Sequence, residues 1–202
     1  EVTLSKEEIF RVQIEETIKA HMKKQKELLP RGIKVLSLFF IDKVANYVAN
    51  DGIIKKLFDE AFEKQKQKFP FYKGWTAEQV RQGYFAKKTA KNKPDEYIDT
   101  AIENKTQAEK ELEKEAYNLI MKDKERLLSF DEKVSFIFAH SALKEGWDNP
   151  NVFQICTLNT ATSERRKRQE IGRGLRLSVN QDGARVTDEG VNVLTVIANE
   201  SY

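Results

Sequence analysis

Two stretches of this chain gather residue types that handle sugar and phosphate groups. The first runs from Ser141 to Val152 and holds Gly146, Trp147, Asp148 and Pro150. Gly146 permits a tight backbone and Pro150 fixes a turn. The Asp148 carboxylate could accept hydrogen bonds from a sugar hydroxyl, and Ser141 with neighbouring backbone N–H groups could meet a phosphate. The second runs from Arg165 to Arg176, with Arg166, Gln169, Arg173 and Arg176 spaced three, four and three residues apart. On a continuous helix that spacing puts all four side chains on one face. Crowded guanidinium groups repel unless they share an anion. Gly172 and Gly174 each cost a helix about 1 kcal/mol relative to alanine, which points to something approaching the backbone closely. The planar fork of arginine suits phosphate oxygens and can stabilise charge on a transferring phosphoryl group. The plainer alternatives are an ordinary strand-to-strand connection for the first stretch and a solvated basic helix for the second.

Such residues need a scaffold, and the apolar pattern supplies one. Ser5 and Glu8 form a capping-box pair, followed by Phe10, Ile14, Ile18 and Met22 as one stripe of an amphipathic helix that Pro30 and Gly32 end. Residues 33–41 are nearly all apolar, as in a strand buried on both faces of a parallel sheet. Helical spacing resumes over 42–48 and again over 53–68, and strands are predicted over 134–139, 152–158 and 191–198. A short helix is expected after the first of these, and a longer one from Ser163 to Leu175. Alternating strands and helices imply an α/β fold with a parallel sheet. In such a sheet both chemical stretches are expected just beyond the carboxyl ends of strands. Residues 69–126 read differently: Pro70, Gly74 and Pro94 punctuate a segment with a short strand near Tyr84–Phe85 and one long charged helix over 105–124.

Composition excludes several classes. With 35 basic against 32 acidic residues the net charge of +3 does not by itself mark a nucleic-acid binder. One cysteine, Cys156, and two distant histidines, His21 and His140, argue against a metal site or a disulfide framework. The carboxylate pairs Asp59–Glu60 and Asp131–Glu132 do not end strands and make poor metal ligands. No apolar run approaches the ~18 residues of a membrane span, so no membrane partner is expected, and a reducing cytoplasm is the expected location. A first residue of Glu1 suggests a piece of a longer protein.

The pattern Gly-x-Asp-x-Pro followed downstream by Gln-x-x-Gly-Arg-x-x-Arg resembles motifs V and VI of superfamily 2 helicases. The surrounding text is similar to one branch in particular. FIFAHSALKEGWDNPNVFQICTLN at 136–159, RKRQEIGRGLRLSVNQDG at 166–183, NVLTVIANESY at 192–202 and LIMKDKERLLSF at 119–130 resemble the restriction (Res) subunits of type III restriction enzymes. Residues 33–47 are similar to motif IV of the same group. The resemblance implies a RecA-like parallel sheet flanked by helices, the second motor domain of a DNA translocase. Residues 1–68 would be its N-terminal helix and first βα part, 69–126 a mostly helical charged insertion, and 127–202 the remainder.

By that resemblance Arg173 would be the arginine finger and Arg176 its neighbour on the phosphates. Gly146, Asp148, Gln169 and Gly172 would line the ATP site, with Gly146 and Asp148 meeting the sugar or the arginines. Ser141, Ala142, Thr157, Asn159 and Thr160 would lie along DNA. Mg2+ would be held by the first RecA-like domain. The implied partners are double-stranded DNA, that first domain, a methyltransferase (Mod) subunit and a C-terminal nuclease domain. No glycine here is followed by lysine, so a Walker A loop is excluded and the chain alone is expected to be inactive. Trp147 is expected to wedge against the first domain; stacking on a base or on the adenine is the alternative. A motor of another superfamily 2 branch, type I restriction or repair, and a non-catalytic doubly wound binding module both remain open.

Overall fold

The structure is a computed structural model that describes residues 4–85, 106–140, 147–158, 164–174 and 176–198. Its first helix, α1 (Lys6–Leu28), begins where the capping box places it. The Ser5 hydroxyl accepts from the Glu8 amide, and the Glu8 carboxylate accepts from the Ser5 amide. Phe10, Ile14, Ile18 and Met22 are all buried. After α1 a 3-10 turn (Leu29–Arg31) ends at Gly32, whose φ of 66° is the left-handed conformation that glycine accepts without strain.

Strands β1 (Leu36–Ile41), β2 (Arg81–Tyr84), β3 (Phe136–Ala139), β4 (Val152–Leu158) and β5 (Thr195–Ile197) form one sheet in the order β2-β3-β1-β4-β5. Every pairing is parallel. This is the expected α/β, RecA-like sheet. Central strands β1, β3 and β4 are buried along their whole length, which is why they read as continuous apolar runs. On one face α1, α2 (Ala45–Val48), α3 (Ile53–Gln65) and α4 (Ala77–Val80) cover an aromatic core that includes Phe39, Phe58, Phe62, Phe136 and Phe138. The other face packs Leu36, Leu38, Phe40 and Ile137 against Leu119, Ile120, Leu127 and Trp147.

Within the aromatic core lies a polar chain. The Ser37 hydroxyl donates to Gln154 Oε1 at 2.8 Å, so its lone pair is left to accept from His21 Nδ1 at 2.7 Å, and His21 Nε2 then accepts from the Tyr72 hydroxyl at 2.8 Å. Burial pushes the His21 imidazole down to about 3, with the Lys34 charge adding to the effect. This network ties α1 and the Tyr72 turn to two strands of the sheet.

The segment 69–126 departs in detail from its sequence reading. Its short strand, β2, is an edge of the main sheet, paired with β3, and the preceding Tyr72, Ala77 and Val80 are buried in the aromatic core. The single long helix expected over 105–124 is instead α5 (Gln107–Tyr117), a π-helical turn (Asn118–Lys122) and α6 (Lys124–Leu128). Asp123 divides them, its carboxylate capping the amide of Arg126.

Candidate functional site

A parallel sheet forces each connection to return to the amino edge, and this decides where the chemistry sits. The stretch from Ser141 to Val152 leaves the carboxyl end of β3 but enters β4 at its amino end. Trp147 and Asp148 therefore lie at the amino edge, beside the start of β4 (Val152), and not beyond strand carboxyl ends as expected. The amide of Leu36, the first residue of β1, donates to the Asn151 carbonyl at 2.8 Å.

The second stretch comes to the same edge. Helix α7 spans Glu164–Ile171, shorter than the expected Ser163–Leu175, and the chain turns away at Gly172. Arg173 and Arg176 are thus not on a helical face with Gln169, which is exposed on α7. The glycines also have a local explanation. A Cβ on Gly174 would stand 2.5 Å from Leu194 Cδ1 and 3.2 Å from the Val152 carbonyl, so the close approach is to the chain's own strand. Gly172 is half-buried just past the helix, its amide bonded to the Arg168 carbonyl at 3.0 Å.

Both guanidinium groups converge on the Trp147–Asp148 turn. Arg173 Nη1 donates to the Trp147 carbonyl at 2.7 Å, and Arg176 Nε donates to Asp148 Oδ2 at 2.6 Å. A third cation joins them: Lys124 Nζ donates to Asp148 Oδ1 at 3.2 Å. The Arg176 hydrogen bond, with Lys124 supporting it, holds the Asp148 carboxyl below its ordinary range despite partial burial. The arginine heads therefore fold back onto the turn, whereas the helical spacing implied heads projecting from one side of a helix. The chain beyond Arg176 is fastened as well. Asn151 bonds both ways to Val179, donating Nδ2 to its carbonyl at 2.9 Å and accepting its amide at 2.8 Å, while the Ser178 amide donates to Asn192 Oδ1. Sequence reasoning missed Lys124 and Asn151; the Asn-Pro-Asn turn ahead of a strand was the only available signal for the latter.

Trp147 is a second correction. It is 3% exposed, packs among Leu119, Ile120 and Leu127, and donates its indole N–H to the Ile120 carbonyl at 2.8 Å. It belongs to the core of this domain and presents no wedge to another.

At the opposite edge, Thr157 is the penultimate residue of β4. It is buried, its carbonyl accepts from Gln13 Nε2 at 3.0 Å, and its hydroxyl has no hydrogen-bond partner. Ser141, Ala142, Gly146, Asn159 and Thr160 lie outside the described residues, and of Arg166 only the helical backbone is described. Among the described residues no group of three or more His, Cys, Asp or Glu side chains could hold a metal ion, and no helix is long and apolar enough to cross a membrane.

No family model matches the chain. It is 42% identical over 189 residues to the Res subunit of the type III restriction-modification enzyme EcoP15I of Escherichia coli, across 85% of this chain and 18% of that protein. It is 41% identical over 189 residues to the EcoPI Res subunit of Escherichia phage P1, again across 85% of this chain and 18% of the relative. The StyLTI Res subunit of Salmonella typhimurium is 35% identical over 185 residues, across 78% of this chain and 17% of the relative. The chain thus spans less than a fifth of the length of these relatives.

Proposed function

The chain belongs to the Res-subunit family of type III restriction-modification enzymes, and from that premise we propose that it is the second RecA-like motor domain of such a subunit. Its task is to lend Arg173 and Arg176 to ATP hydrolysis when the first motor domain closes on it. One observation carries this reading: two segments far apart in the chain bring Arg173, Arg176 and Asp148 to a single turn at the amino edge of the sheet. Guanidinium groups at that edge suit phosphate oxygens, and Asp148 holds Arg176 ready. Each guanidinium presents its N–H donors in a planar fork, the shape that two oxygens of a phosphate take when the cleft closes. Charge that develops on the transferring phosphoryl group would be met by donors already in place. Gly146, Gln169 and Gly172 belong to the same nucleotide-facing set.

ATP and Mg2+ are the implied substrate and metal. The described donor set at this edge is cationic and fits the triphosphate but not the metal, so we assign Mg2+ to the first motor domain and route no step through it here. To double-stranded DNA we assign Ser141, Ala142, Thr157, Asn159 and Thr160, which lie in the chain at or soon after the ends of β3 and β4. Residues 69–126 remain, in this reading, a segment added between the motor motifs. The Mod methyltransferase subunit and a nuclease domain of the same polypeptide complete the proposed cytoplasmic assembly. The test is Arg173→Ala in the full-length protein, assayed for DNA-stimulated ATP hydrolysis. We expect turnover to fall by a factor of about 10² to 10⁵, the range for loss of an arginine finger. Unchanged turnover overturns the assignment.

A further inference from the structure

The segment ahead of β3 has no part in the proposed phosphoryl chemistry, yet it grips the arginine site at two points. Its π-helical turn offers the Ile120 carbonyl to the Trp147 indole N–H, and Leu119 and Ile120 share an apolar cluster with that ring. π-helical turns depart from the regular ladder and recur at functional sites. This one ends at Asp123, which caps α6 and so sets Lys124 at the first position of that helix. From there the ammonium of Lys124 reaches Asp148 Oδ1, while Arg176 Nε holds Oδ2 of the same carboxylate.

A carboxylate with each oxygen engaged by a different cation is held in one rotation. Remove the Lys124 ammonium and Asp148 is free to turn and offer both oxygens to Arg176. A side-on, bidentate pair is the stronger arrangement and would keep the guanidinium on the turn. The lysine thereby governs how firmly the carboxylate retains an arginine that must serve a phosphate. The position is fixed from behind as well, because Trp147, the residue before Asp148, is anchored to the same π-helical segment.

We propose that Lys124 is a positioning residue for ATP hydrolysis: it fixes Asp148, through Asp148 it sets the guanidinium of Arg176, and it links the charged helix α5 to that site. This rests on the motor-domain reading, so its test must be able to fail separately.

The experiment uses the full-length protein assembled with its partner subunit and DNA, and reads kcat and KM for ATP. Both Lys124 and Asp148 are partly exposed, with side chains 40% and 30% accessible. The expected loss is therefore moderate: Lys124→Met lowers kcat about threefold to tenfold and moves KM by less than about twofold. Lys124→Arg restores most of kcat, since a cation again reaches Oδ1. In an Asp148→Asn background, Lys124→Met adds nothing, because the group it acts through is gone. A lysine that merely stabilised α6 would instead give losses that multiply. Multiplying losses, or a Lys124→Met enzyme equal to its parent while Arg173→Ala is inactive, overturns the role of Lys124 and leaves the motor reading standing. An active Arg173→Ala enzyme overturns the motor reading and the role of Lys124 with it.

Discussion

At the residue scale, the chain separates two kinds of polar group by what surrounds them. Asp148 sits near the surface between cations, and its ionised form is favoured by them. His21 is the reverse case, fully enclosed and with both ring nitrogens committed to neutral partners. Its imidazole drops from an ordinary 6.5 to about 3, because burial penalises the charged form and Lys34 adds a like charge. The consequence for stability has a definite sign. Between pH 6.5 and 3 the unfolded chain binds a proton at this position and the folded chain does not. Stability is therefore complete above pH 6.5 and declines as pH falls toward 3, by about 1.4 kcal/mol per pH unit from this group. Denaturant midpoints measured across that range should fall with acidification. His21→Gln, which cannot titrate, should start lower and show a shallower decline; equal slopes would remove His21 as the cause. Nothing in the sequence announces this network. A lone histidine on the stripe of α1 carries no sign that Tyr72 and Ser37 will meet it, since both contacts are made by tertiary packing.

At the element scale, the decisive event is that α7 stops at Ile171. Gly172 and Gly174 weaken the helix, and Gly174 lets the departing chain lie against the start of β4. An added methyl group at Gly174 would press on the Val152 carbonyl at 3.2 Å, which is backbone and cannot swing aside, and on Leu194. Gly174→Ala should cost about 1–3 kcal/mol of stability, as overpacking does elsewhere. It should also lower ATP turnover, because the segment that carries Arg173 and Arg176 is displaced. A variant as stable and active as the parent would show that the contact is slack. This element also marks the limit of periodicity as a guide. The stripe of α1, its capping box and the buried runs of β1, β3 and β4 were legible because local pattern and tertiary packing demand the same residues. The arginine spacing rested on a helical geometry that does not hold, since a 3.6-residue period says nothing of a chain that leaves the helix at Ile171. Lys124 was invisible because its charged neighbours look the same in sequence whether solvated or joined to Asp148.

At the scale of the whole molecule, the parallel sheet sets two edges apart by the length of its strands. β4 has 7 residues, and at about 3.3 Å each that is roughly 20 Å between the Asp148 turn and the end at Leu158. If, as proposed, nucleotide is met at one edge and DNA at the other, coupling between them must pass through the sheet itself, and the continuous burial of β1, β3 and β4 makes that sheet stiff. The same division predicts what this chain does alone. On the proposed reading its amino edge offers Arg173 and Arg176 to a triphosphate, but no glycine-lysine pair for a phosphate-cradling loop occurs anywhere in its 202 residues. Without a second wall the phosphates stay in water, where each charge–charge contact is weak. Isolated chain should therefore bind ATP only weakly, in a manner that fades with added salt, and should release no phosphate above background. Adding the first motor domain as a separate polypeptide should raise phosphate release, and Arg173→Ala in this chain should cancel the increase. Hydrolysis by the purified chain alone, lost on Arg173→Ala, would mean that the catalytic set is complete within these residues and that the division of labour proposed here is wrong.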